Sequence, residues 1–309
     1  MHPELVKLEN QFNRSILTKV VDPRLEPYRV EFWVKRDDLI DPVISGNKWR
    51  KLKYIIDHFL SVGATKMISM GGPYSNHLHA LAYIGHLLGF ETEGLIRGES
   101  RPTPTLDDMR RWGMTLTFVS RGEYRALREY KQWRSLPGLD KNAYWLPEGG
   151  AVETALRGVA ELVDAIDVAY DLMCCPCGTG TTLAGIVAAL DFDCRAIGFA
   201  ALPGRDFLER DVRQLVKQSE VSWQIVDDYH FGGFARTRPE LFNFIEQFTQ
   251  VTSIPLEPVY TGKMMFGIYD LIEKGIIAAG QRIVAVHTGG LQGNRGFYGR
   301  CSSQVKNSR

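Results

Sequence analysis

The chain has 309 residues, 44% hydrophobic and 24% charged, and its 37 Lys+Arg against 36 Asp+Glu leave a formal net charge of +1. That length gives a prior of about two ordinary domains and enough apolar residues for a large core. The composition excludes a disordered or collagenous chain, and the charge balance gives no global case for nucleic acid or an anionic membrane. No apolar run reaches the roughly 18 residues a membrane helix needs, and the opening MHPELVKLENQF lacks the apolar stretch of a signal peptide. Cysteines at 174, 175, 177, 194 and 301 are odd in number with three crowded together. This is no disulfide framework, and it leads us to expect a reducing cytoplasm.

In chain order, short apolar runs predict strands at 32–35, 67–70, 92–96, 116–119, 144–146, 172–175, 196–199, 223–226 and 283–286. Amphipathic stretches between them predict helices at 49–60, 77–88, 154–166, 182–190, 207–217, 241–250 and 263–274. Strands alternating with helices imply an α/β class with mostly parallel sheets, in which ligands bind where strand ends feed helix starts. Residues 51–150 carry strand–helix repeats enough for a small α/β domain, and 1–50 with 151–309 would build a larger one. The Gly149-Gly150 turn is a plausible crossing point.

Five segments have the residue types for chemistry. Lys48 follows the turn pair Gly46-Asn47 and precedes an amphipathic helix. Backbone constraint on both sides suits a Schiff-base lysine, although a solvated basic helix start reads the same way. The run Gly71-Gly72-Pro73-Tyr74-Ser75-Asn76-His77 ends a strand and supplies a helix cap, whose free N–H groups can take a carboxylate or phosphate. His77 and His79 are two apart and face different sides of that helix, so neither reads as a metal ligand. The loop Cys177-Gly178-Thr179-Gly180-Thr181-Thr182 has the glycines and hydroxyls of an anion cradle. It is neither a Walker A loop nor a full dinucleotide fingerprint. Cys174 and Cys177 have zinc-like spacing but no second ligand pair, so no metal is expected. Tyr260 and Thr261 follow Glu257-Pro258-Val259 just before a helix, and Val286-His287-Thr288-Gly289-Gly290 is a strand followed by a glycine turn.

Together these segments resemble the fold-type II pyridoxal-phosphate enzymes, and within them the 1-aminocyclopropane-1-carboxylate deaminase/D-cysteine desulfhydrase family. The carrying residues are Lys35-Arg36-Asp37-Asp38, Gly46-Asn47-Lys48-x-Arg50-Lys51-Leu52, Gly71-Gly72-x-x-Ser75-Asn76, Gly178-Thr179-Gly180-Thr181, Glu257-Pro258-Val259-Tyr260, Gly262-Lys263 and His287-Thr288-Gly289-Gly290, which span most of the chain. The resemblance implies a two-domain, tryptophan synthase β-like architecture, commonly dimeric, in which the larger domain binds pyridoxal 5'-phosphate. It implies that Lys48 holds the cofactor and moves the α-proton, that Asn76 bonds the ring oxygen, and that Cys177–Thr182 and Lys51 bind the phosphate. Ser75, Asn76 and His77 would meet the substrate carboxylate, with the Ser75 hydroxyl near the reacting atoms. Tyr260 would pack by the ring and Thr261 would face its nitrogen.

Two positions depart from the deaminases, as the resemblance describes them. They place an acidic residue where this chain has Thr261, and a further tyrosine where the best alignment puts Phe234; a one-gap shift would bring in Tyr229 instead. A neutral partner leaves the ring a weaker electron sink, which suits α,β-elimination better than opening a cyclopropane. The expected reaction is therefore conversion of D-cysteine to pyruvate, sulfide and ammonia in the cytoplasm. The alternatives are the cyclopropane deaminase and a racemase or dehydratase on a serine-like substrate. A nucleotide-binding protein and a non-catalytic relative are the readings outside that chemistry.

Overall fold

The computed structural model describes residues 1–297 apart from Ser45 and Gln218. Its helices and strands in chain order are α1 (Pro3–Glu9), β1 (Leu17–Lys19), β2 (Glu31–Lys35), α2 (Asn47–Ser61), β3 (Lys66–Gly71), α3 (Asn76–Leu88), β4 (Glu91–Arg97), α4 (Pro104–Arg111), β5 (Thr115–Val119), α5 (Arg121–Leu127), β6 (Ala143–Leu146), α6 (Thr154–Asp164), β7 (Leu172–Cys177), α7 (Thr181–Ala189), β8 (Arg195–Ala200), α8 (Arg205–Val216), β9 (Ser222–Val226), α9 (Pro239–Thr252), α10 (Thr261–Glu273) and β10 (Arg282–Val286).

The strands form two sheets, one ordered β1-β2-β10-β7-β8-β9 and one ordered β5-β4-β3-β6. Every pairing is parallel except β1 with β2 at the edge of the larger sheet. Parallel strands need a crossover between them, and helices fill that role here. Both faces of the larger sheet are therefore covered. Phe32, Val34, Leu241, Phe248 and Ile268 form the core on one face, and Met173, Cys175, Leu183, Ile186 and Val159 form it on the other. This explains why β7, Leu-Met-Cys-Cys-Pro-Cys, is buried at every residue with no alternation. Beside the smaller sheet, Met67, Leu78, Leu81 and Ile96 share a core with Leu5 and Leu8 of α1 and with Ile55 and Phe59 of α2. The mostly parallel α/β architecture is the one expected.

Two differences from the sequence reading matter. The helix expected from Trp49 begins at Asn47, so Lys48 lies in the first turn of α2 rather than ahead of it. Four short elements carry no prediction, namely α1, β1, α4 and α5. They are three to eight residues long, too short for an apolar period to register.

Candidate active site

One cleft lies where β3, β7 and β10 end and α2, α3, α7 and α10 begin. Ten of the predicted residues line it: Lys48, Lys51, Ser75, Asn76, His77, Gly178, Thr179, Gly180, Thr182 and Tyr260. Cys177, Thr181 and Thr261 are not in its lining. The Cys177 thiol lies in the core beside Gly198, the Thr181 hydroxyl is 3.0 Å from that of Thr179, and the Thr261 hydroxyl turns to Glu257.

The turn that carries Lys48 is fixed on two sides. Gly46 has φ +68°, and a Cβ there would stand 1.9 Å from the Thr288 carbonyl oxygen. The Asn47 N–H donates to that same carbonyl at 3.3 Å. The Asn47 side-chain amide donates to the Thr182 hydroxyl at 2.8 Å. The Gly46-Asn47 pair thus joins the end of β10 to the start of α7. Lys48 and Lys51 then follow one helical turn apart on α2. Burial lowers the Lys48 amine to a pKa of about 8. Burial, and then the neighbouring Lys48, lowers Lys51 well below the usual lysine range. Lys51 is buried and Lys48 partly so, and neither has a carboxylate partner among the described residues, although buried charges are ordinarily paired. His77 is neutral for the same reasons, burial first and then the two lysines. Its Nε2 lies 2.9 Å from the Ser69 hydroxyl, which donates in turn to the Leu146 carbonyl at 2.8 Å. Nε2 therefore carries the proton, and Nδ1 is left as a buried acceptor without a partner among the described residues.

Three loops complete the walls. Ser75 caps α3, its hydroxyl accepting from the Leu78 N–H at 3.2 Å, and Asn76 Oδ1 accepts from the Gln292 side chain at 2.8 Å. The Gly178 turn passes close to Tyr260: a Cβ on Gly178 would be 3.3 Å from the ring. The Glu257 carboxylate, buried at the start of α10, accepts the N–H groups of Val259 at 2.7 Å, Tyr260 at 2.9 Å and Thr261 at 2.6 Å, with the Thr261 hydroxyl at 3.1 Å. Burial raises its pKa and these four donors oppose the rise. Phe234 reaches the cleft and meets Tyr260 edge-on at 6.0 Å between ring centroids. Tyr229 instead sends its hydroxyl to Asp270 at 2.6 Å, so Phe234 is the residue of that segment in the cleft.

Sequence reasoning assigned no role to Lys263, Glu257 or Glu148. Lys263 is 1% exposed, and its ammonium donates to the carbonyls of His230 at 2.8 Å, Gly233 at 2.9 Å and Ala201 at 3.4 Å. It ties the loop bearing Phe234 to the end of β8. Lys263→Met leaves those carbonyls without their donor. We expect a loss of about 2 kcal/mol in denaturant unfolding and faster proteolysis within 230–236. An unchanged midpoint would show the loop to be held by other means. At Gly149 and Gly150, read from sequence as a crossing point, an added Cβ would stand 2.8 Å from the Thr179 side chain and 3.4 Å from that of His77. Glu148 lines the same wall.

The sequence profile of the family described as "pyridoxal-phosphate dependent enzyme" matches residues 20–289. A Thermotoga maritima protein, provisionally named as a 1-aminocyclopropane-1-carboxylate deaminase, is 29% identical over 290 residues, covering 87% of this chain and 91% of its own. The Arabidopsis thaliana bifunctional D-cysteine desulfhydrase/1-aminocyclopropane-1-carboxylate deaminase is 27% identical over 298 residues, covering 86% of this chain and 74% of its own. Among solved structures, one described as an ACC deaminase homologue superposes with a TM-score of 0.81 at 26% identity, covering 98% of this chain and 99% of its own. A hydrogen sulfide-producing enzyme of Fusobacterium nucleatum shares the fold, with a TM-score of 0.65 at 13% identity over 94% of this chain and 98% of its own.

Proposed function

The chain belongs to the pyridoxal-phosphate dependent enzymes, and we propose that it eliminates the β-substituent of a small amino acid, with D-cysteine, giving pyruvate, sulfide and ammonia, as the favoured substrate. The observation that carries this reading is the meeting in one cleft of an unpaired, buried Lys48 amine with the Ser75 and Tyr260 hydroxyls and the Gly178–Gly180 turn. The residues present suit the cofactor. Two amines without a carboxylate, a glycine turn with threonine hydroxyls and a helix start offer a phosphate its counter-charge and donors.

When bound, pyridoxal phosphate supplies an electron sink for the charge left at the α-carbon. The chain's residues supply the rest. Lys48 would hold the cofactor and would be the base for the α-proton. Lys51 and the turn at Gly178–Gly180, with Thr182, would hold its phosphate. The start of α3, with Ser75, Asn76 and His77, holds the substrate carboxylate. Tyr260 keeps its proton, because burial, and then Glu257, push the phenol well above its ordinary range. The Thr261 hydroxyl is turned to Glu257 and lies outside the cleft lining, and Phe234 brings no hydroxyl to the cleft. The lack of a second hydroxyl beside Tyr260 favours elimination over ring opening.

The test is to record the visible absorption of the purified protein, add D-cysteine and measure pyruvate and sulfide. Absorption abolished by borohydride together with both products supports the reading. Absorption without products sinks D-cysteine and turns attention to the cyclopropane and serine-like substrates. The lysine gives a pH signature as well. Burial disfavours the ammonium, so half of Lys48 is neutral at about pH 8 instead of near 10.5. Uptake of pyridoxal phosphate by the apoprotein is expected to speed up as pH rises through about 8 and to level off above it. A stopped-flow profile that keeps rising towards 10.5 would contradict this.

A further inference from the structure

We propose that the mouth of this cleft is a second anion site, so that the amino acids it accepts include ones carrying an oxyanion on the β-carbon besides the α-carboxylate. The inference rests on the elimination reading above and names a substrate class for the same site. Arg97, the last residue of β4, and Arg128, just beyond α5, line the cleft together with Lys48 and Ser75. Both guanidinium groups lie over the buried ring of Tyr124, at 5.6 and 5.7 Å from its centroid. The Tyr124 hydroxyl donates to Glu148 at 2.6 Å, which fixes the ring in turn. Packing against an aromatic ring preorganises guanidinium groups for oxyanions.

The charges in this corner do not cancel. Glu148 pairs with Arg128 at 2.6 Å. Arg97 has no carboxylate partner among the described residues, nor have Arg121 and Arg125, which line the adjoining hollow with Arg97 and Arg128. Glu123, between them in sequence, is drawn to the α5 cap, accepting the Ser120 N–H at 2.7 Å. A chain with a net charge of +1 thus gathers four arginines around one hollow, two of which, Arg97 and Arg128, also line the cleft. The proposed carboxylate site at Ser75–His77 and the phosphate site at Lys51 and the Gly178 turn do not use them. A second negative group on the substrate side chain does. With O-phosphoserine, the α C–H and Cβ–O bonds break and the phosphate leaves with the electron pair. One water is taken up, and the products are pyruvate, ammonia and phosphate.

The test uses the holoenzyme and measures pyruvate from the D and L forms of O-phosphoserine and of serine, at low and at raised salt. We expect kcat/KM for one O-phosphoserine enantiomer to exceed that for the matching serine by about tenfold or more, and salt to lower that ratio. In Arg97→Gln, an exposed position whose loss leaves no carboxylate unpaired, the ratio falls by about tenfold. A ratio indifferent to both salt and Arg97→Gln overturns the proposal. If no amino acid, D-cysteine included, yields pyruvate, the elimination reading fails separately. Calorimetric titration of the holoenzyme with O-phosphoserine then decides the anion site. Binding weakened about tenfold by Arg97→Gln upholds it, and no binding, or equal binding, overturns it.

Discussion

Lys48→Ala is expected to lower turnover by about 10²–10⁴-fold or more and to leave no cofactor attached after borohydride treatment. The comparison that gives this force is Lys51→Ala. Both amines are buried in one cleft without a carboxylate among the described residues, so burial alone does not choose between them. Position does: Lys48 stands in the first turn of α2, next to the Gly46-Asn47 pair fixed by Thr288 and Thr182. Lys51→Ala should keep the covalent attachment and weaken retention of the cofactor on dialysis, as the loss of one phosphate counter-charge would. Peptide mass mapping after borohydride reads the site of attachment directly. A label on Lys51, or turnover surviving in Lys48→Ala, would refute the assignment.

Gly46→Ala is the second large effect. The position has φ +68° and ψ −144°, a region essentially confined to glycine that costs another residue roughly 1–3 kcal/mol. The new Cβ would also sit 1.9 Å from the Thr288 oxygen, 2.1 Å from its carbon and 2.6 Å from the Gly289 nitrogen. These are backbone atoms at the end of β10 and cannot rotate aside, so overpacking adds about 1–3 kcal/mol more. We expect a total near ~3 kcal/mol in chemical denaturation, with cofactor affinity lowered as well, because the same turn carries Lys48. Alanine at Gly63, whose Cβ would meet nothing within 4 Å although φ is also +68°, reports the cost of a positive φ without a clash. If the two variants lose equal stability, the close approach to Thr288 is not what fixes Gly46.

The sequence was legible where a single physical pattern dominates. The buried strands read as apolar runs, and the loops after β3, β7 and β10 read as glycine turns feeding helices. Those same loops meet in the cleft. What was missed falls into two kinds. Some signals were present and short. Ser120 and Glu123 form a capping box at α5, and Thr103 with Pro104 opens α4. Each announces a helix start without an apolar period long enough to support it. Other features exist only after folding. Glu257 reads as part of a motif, and only the backbone shows its carboxylate gathering the N–H groups of Val259, Tyr260 and Thr261 that lead into α10. Lys263 looks like a helix-surface lysine until the loop at 230–233 folds over it. Arg97 and Arg128 are 31 positions apart, and only the fold sets both beside the Tyr124 ring.

The thiols of β7 give the molecule an internal clock for its own opening. Cys174 and Cys175 have no exposed surface. Burial raises the Cys174 pKa, and a hydrogen bond with Cys177 together with burial raises that of Cys175. An alkylating reagent can reach neither while the central strand is in place, so their labelling rate counts excursions in which the larger sheet parts. Any ligand that binds only the closed molecule must slow that count by mass action, by about a hundredfold at a concentration a hundred times its dissociation constant. Affinities for cofactor, amino acids and simple anions can thus be ranked by mass spectrometry of one peptide, with no turnover required.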